Sequence, residues 1–190
     1  MANARRSPPW AELVQLIPVV SLALPFVVSG SVDLRRAAQG FLWAALLSLP
    51  IMGVLLAKRY LLNPILVGTN LWLWLGAAAF NLKWGFLSAW LSELQAAGLF
   101  AAVLLVGLLA IFLVPAGFIG SHSSNRSWVR RASWLLFALA VLAFAWAYTL
   151  RNTIRLGGGL PFIVLNVARR VLMVRGDKEV SKVLSAGRGG

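Results

Sequence analysis

The sequence predicts an all-α fold: a polytopic transmembrane helix bundle with five clear spans, followed by an amphipathic C-terminal helix or a short sixth span. Three observations carry that class. The 190-residue chain is 60% hydrophobic with a mean hydropathy of +0.82, far more apolar than a water-soluble domain. Its apolar residues form long runs without two-residue alternation, and backbone that must pair all its polar groups inside lipid does so in such runs as helix rather than barrel strand. Its charges fall mostly between those runs and in the tail, where cations set topology and meet anionic headgroups.

Taken in order, residues 1–12 form a basic N-terminal segment. "MANARRSPPWAEL" starts like a signal peptide, but the long apolar stretch after it lacks a clear A-x-A cleavage site, so it reads as a retained first membrane segment. A hydrocarbon core of about 30 Å needs roughly 20 mostly apolar residues in helix. Five stretches, 13–32, 37–57, 61–82, 96–120 and 132–150, meet that length with no charge inside, and residues 13–155 form the predicted bundle. Pro18 and Pro25 in the first stretch and Pro115, Gly117 and Gly120 in the fourth are expected kinks or hinges. Between the third and fourth spans, "KWGFLSAWLSEL" places Leu87, Trp90, Leu91 and Leu94 at helical spacing, which predicts a short interfacial helix. Trp84, Trp90, Trp128 and Trp134 fall near span ends, where indole prefers the headgroup zone. In the fifth span Ser133, Ala140 and Ala147 repeat by sevens, a small-residue face for close helix packing.

The segment 156–175 is read first as a helix lying in the membrane surface. Its glycine break, Pro161 and a short apolar run precede Arg169, and Asn166, Arg169, Arg170 and Met173 share one helical face. Arg169, Arg170 and Arg175 are expected to contact lipid headgroups, with 176–190 a polar basic tail. "LGGGLP" lacks the Gly-Lys-Ser/Thr ending of a phosphate loop and reads as a flexible joint. Charge bears on the span count. With five spans the 18 Lys and Arg divide seven to eleven between the two sides. A crossing sixth segment, or a re-entrant first one, divides them thirteen to five, the asymmetry that positive-inside topology favours. Either count stays open, and the basic tail is expected on the cytoplasmic side.

Polar residues inside the runs are the candidate functional groups. Asn63, Asn70 and Asn81, spaced by seven and eleven, project from nearly one direction on an ideal helix. Trp74 shares that face, and Thr69 is adjacent. An unpaired amide in hydrocarbon costs several kcal/mol, so this face should meet other helices or a wet cavity; packing is the first reading and a ligand-lined path the second. Pro64 could start the helix, and Gly68 would admit a close backbone. His122, the only histidine, with Arg126, Arg130 and Arg131, forms a loop that is a candidate site of lower standing.

Absences narrow the function. There is no cysteine, which excludes thiolate chemistry and disulfides. No cluster of His, Asp and Glu suggests a metal or haem, so no cofactor or metal is expected. No carboxylate lies at midspan to carry a coupling proton, and enzymatic activity is disfavoured. The segments "NPILVGTNLWLWLGAAAF", "LLVGLLAIFLVPAGFIG" and "LPFIVLNVARRVL" resemble those of a family of small bacterial multi-pass inner-membrane proteins. The resemblance spans about residues 58–173 and implies a bacterial inner membrane but no activity and no site residues. The expected function is a non-enzymatic accessory or assembly subunit, with a small transporter or channel for a neutral or anionic solute, lined by the asparagine face, as the alternative. The expected partners are a bilayer with anionic headgroups and a second copy or another membrane protein, with no nucleic acid.

Overall fold

A computed structural model describes residues 9–29, 34–121, 125–150 and 155–186. Among these the chain is all helical, with seven α-helices: α1 (Pro9–Ser29), α2 (Leu34–Ala57), α3 (Pro64–Asn81), α4 (Gly85–Leu94), α5 (Ala96–Leu113), α6 (Arg126–Thr149) and α7 (Leu160–Ala186). A single π-helical turn, Arg155–Gly159, leads into α7.

Among the described residues four helical segments are long and apolar enough to cross a membrane: Arg36–Ala57, Ala96–Leu113, Arg126–Thr149 and Leu156–Gly176. Thr69, Asn70 and Asn81 lower the hydropathy of α3, so composition alone does not mark it as a span. The segment 156–175, expected as a helix lying in the membrane surface or as a short sixth span, belongs to a longer helix than either reading gave. α7 is 27 residues long, it packs along α6, and it remains helical past residue 175 to Ala186.

Successive long helices run antiparallel. Trp10 at the start of α1 meets Tyr60 just beyond α2 with ring centroids 5.9 Å apart. Asn81 at the end of α3 donates to the Ala38 carbonyl near the start of α2, at 3.2 Å. Gly158, ahead of α7, lies against Ala96 at the start of α5, and Gly176 lies against Trp128 at the start of α6. One end of the molecule therefore gathers the starts of α1, α3 and α6, the ends of α2 and α5, and the C-terminal half of α7. The short α4 lies at the other end. The short helix expected from spacing forms with an apolar outer edge: its Phe86 is 87% exposed and the Trp84 before it 58%, while Leu91 is buried.

The core lies between α3, α5, α6 and α7, around Ile65, Phe100, Val103, Phe118, Leu136 and Leu165. Small residues set the spacing. Ser133, Ala140, Ala143 and Ala147 are all buried on the face of α6 turned to the core, so the seven-residue repeat serves packing within the chain. Gly68 of α3 faces the Val103 backbone of α5, and a Cβ there would stand 2.6 Å from Val103 Cα; the two backbones touch because there is no side chain between them.

α1 is one continuous helix through Pro18 and Pro25, so neither proline divides it into two re-entrant limbs. The fourth predicted span, 96–120, is shorter than expected. α5 ends at Leu113, one residue before the Val114 cap and two before Pro115, because a proline ring clashes with the preceding turn and supplies no N–H. Residues 114–121 then fold back as an irregular turn, with Gly117 at φ +61° and Gly120 at φ +66°. Phe118 and Ile119 of this turn are fully buried.

Candidate functional site

A buried non-helical turn leaves backbone polar groups that lipid cannot solvate, and the site is built around the way those groups are satisfied. The Ile119 N–H donates to Ser133 Oγ of α6 at 3.3 Å. The Ile119 carbonyl accepts from Arg169 Nε of α7 at 3.0 Å. The same guanidinium places Nη1 2.8 Å from Glu12 Oε1 in the first turn of α1. One arginine thus joins α7, the turn after α5 and α1. Its side chain is 5% exposed and that of Glu12 38%, so the cation is enclosed and the anion half open to the surroundings.

Amides extend the cluster. Asn63 caps α3, its Oδ1 accepting from Ile65 N at 3.1 Å, with Pro64 at the first helical position. This pairing of an asparagine cap with a following proline suits an N-terminus, where orphan N–H groups need an acceptor and proline needs none. Asn63 Nδ2 donates to Asn166 Oδ1 of α7 at 3.3 Å. The Asn63 backbone N–H donates to Gln15 Oε1 of α1 at 3.4 Å, and Gln15 is itself fully buried. Glu12, Gln15, Asn63, Asn166 and Arg169 therefore occupy one end of the helices and connect α1, α3, α7 and the 114–121 turn.

The asparagine face divides into three settings. Asn63 belongs to the terminal cluster, since as a cap with φ −71° and ψ 114° it lies outside the helix whose periodicity would align it with Asn70. Asn81 is exposed and holds the α2–α3 contact at the opposite end, donating to the carbonyls of Ala38 and Ala77. Trp74 donates its indole N–H to Ser48 Oγ of α2 at 2.5 Å, and Thr69 Oγ1 donates to the Ile65 carbonyl. Asn70 alone among the three asparagines has both side-chain polar atoms buried without a partner, at 1% exposure.

Arg169 corrects another expectation: it is enclosed by α1 and the turn rather than open to headgroups, because the turn carbonyl and Glu12 compete for it. Arg170 and Arg175 are exposed, as are Arg126, Arg130 and Arg131. His122 lies outside the described residues. Sequence reasoning missed Glu12, Gln15 and Asn166 as site residues. The available signal was an asparagine and an arginine at i and i+3 in an otherwise apolar run, together with a carboxylate and an amide at the same spacing in the first span. Among the described residues no three His, Cys, Asp or Glu side chains come together as a metal site. No family model, curated protein or solved structure matches the chain.

Two variants probe the cluster. Asn63→Ala removes a helix cap and a partner of Asn166, and a loss of about 1 to 2 kcal/mol in unfolding free energy is expected; an unchanged unfolding midpoint in mild detergent would remove Asn63 from the cluster. Asn70→Leu replaces an unpaired buried amide with a group of similar size, which is neutral or stabilising where no partner is lost. A marked loss of stability in that variant would reveal a partner for Asn70.

Proposed function

We propose that the protein is a six-span component of a bacterial inner membrane, a non-enzymatic accessory or assembly subunit whose intramembrane polar residues hold its helices together. The supporting observation is that three pairings of polar side chains inside the fold tie one segment to another: Arg169 to Glu12 and Ile119, Asn63 to Asn166, Trp74 to Ser48. Among the described residues the partners of these groups are other helices and the turn of the same chain, which supports packing contacts over a solute path. The antiparallel order of α1, α2, α3, α5, α6 and α7 supports a topology with both termini on one side. That side would hold thirteen of the 18 Lys and Arg, two before α1, two after α2, three in α6 and six from Arg169 onward. The positive-inside tendency supports a cytoplasmic assignment for it.

The transporter reading retains one supporting observation, the unpartnered amide of Asn70. Native mass spectrometry of the complex released from its own membranes into mild detergent separates the two. A stoichiometric protein partner is expected. A lone chain or homo-oligomer carrying a small polar solute, lost in Asn70→Leu, would replace the subunit reading with transport.

A further inference from the structure

α7 carries Arg169, Arg170 and Arg175, and the fold gives them different tasks. Arg169 turns inward to Ile119 and Glu12. Arg170 and Arg175 are exposed and, with Val167, Val171 and Val174, line one open groove of about 450 Å³ on the helix. The three valines stand at i, i+4 and i+7, and their exposed apolar stripe continues back to Leu160. At 1.5 Å per residue the stripe from Leu160 to Val174 is about 21 Å long, enough to follow one leaflet of a core about 30 Å thick. β-branched side chains make it stiff. The basic end has a different chemistry. Two guanidiniums present paired N–H donors suited to a phosphate, and from Arg170 to the end the chain has five Lys and Arg against Asp177 and Glu179.

A free phosphate would use only the basic end of this groove, and a neutral lipid only the apolar stripe. The geometry points to a site for one anionic phospholipid, its phosphate held between Arg170 and Arg175 and an acyl chain laid along Val174, Val171 and Val167. This rests on the reading that α7 crosses the bilayer with its C-terminal half at the cytoplasmic face. The inward turn of Arg169 is part of the specificity, since it leaves two cations at the groove rather than three and commits the third to the fold.

The test uses the full chain in nanodiscs containing equal phosphatidylglycerol and phosphatidylcholine, with retained lipid read by native mass spectrometry. A preference for phosphatidylglycerol on the order of tenfold is expected from two cations at the membrane surface. It should fall to near parity in Arg170→Gln/Arg175→Gln and persist in Arg130→Gln/Arg131→Gln. Val171→Trp, which fills the groove without changing charge, should also lower retention. An unchanged preference in the Arg170/Arg175 variant, or displacement of the lipid by millimolar inorganic phosphate, overturns the site. Alkaline carbonate extraction keeps the two readings apart. A chain that stays in the membrane without lipid preference sinks the lipid site alone, whereas a chain that washes out sinks the membrane reading with it.

Discussion

Arg169→Leu is expected to lower the unfolding free energy by about 3 to 5 kcal/mol, the combined cost of leaving a buried carbonyl without its donor and of losing a charge-assisted hydrogen bond. Two groups lose their donor at once. The Ile119 carbonyl, 3.0 Å from Arg169 Nε, is left in a turn that no helix satisfies, and Glu12 loses its counterion at 2.8 Å. The two ends of the pair should not be equivalent. Removing Glu12 leaves the more enclosed charge, since Arg169 is 5% exposed, so Glu12→Gln should cost about 2 to 3 kcal/mol, less than Arg169→Leu because an amide oxygen can still accept from Nη1 and the Ile119 carbonyl keeps its donor. Arg169→Lys should restore less than half of the loss, because one ammonium cannot reproduce the Nε and Nη1 contacts together. Thermal or denaturant unfolding in one detergent measures all three. Equal losses for Glu12→Gln and Arg169→Leu would mean that the ion pair, and not the turn carbonyl, dominates.

Gly68→Ala is expected to cost about 2 to 3 kcal/mol, near the upper part of the range for overpacking. The added methyl would lie 2.6 Å from Val103 Cα and 3.1 Å from the Ala102 carbonyl oxygen. Those are backbone atoms, so relief requires α3 and α5 to move apart, loosening the core around Ile65, Phe100 and Val103. Gly53→Ala supplies the contrast. Gly53 lies inside α2, and an alanine methyl at that position would have nothing within 4 Å, so the substitution should stabilise by about 0.5 to 1 kcal/mol through helix propensity. If both substitutions shift the unfolding midpoint in the same direction, contact between the α3 and α5 backbones is not what Gly68 provides.

Local features of the fold were legible in the sequence, and long-range ones were not. Apolar run length located α2, α5 and α6, and the spacing of Leu87, Trp90, Leu91 and Leu94 located α4, because both signals are written within one element. The Asn63–Pro64 cap was readable for the same reason, at least through its proline. The alignment of Asn63 with Asn70 failed because it assumed helix at a residue that lies just outside one. Pro115 marked the end of α5, but nothing local indicated that the chain beyond it would be buried. That burial requires Arg169, which lies 50 residues from Ile119 and 157 from Glu12. Adjacent to Arg170 in a short basic segment, it resembled a surface cation. The turns at Arg59, Lys83 and Gln95 have positive φ without glycine, so the usual residue signal for such turns was missing there.

The central proposal is that six helices cross the membrane with both termini at the basic face, a reading supported by the antiparallel order of the helices. The chain has no cysteine, so single cysteines can be placed without altering a native thiol. Ser7→Cys, Gly85→Cys and Ser185→Cys would be labelled in turn with a membrane-impermeant maleimide in intact and in permeabilised cells. Six crossings predict labelling at 85 in intact cells and at 7 and 185 only after permeabilisation. Labelling at 185 in intact cells while 7 remains protected would mean an odd number of crossings and would contradict the claim.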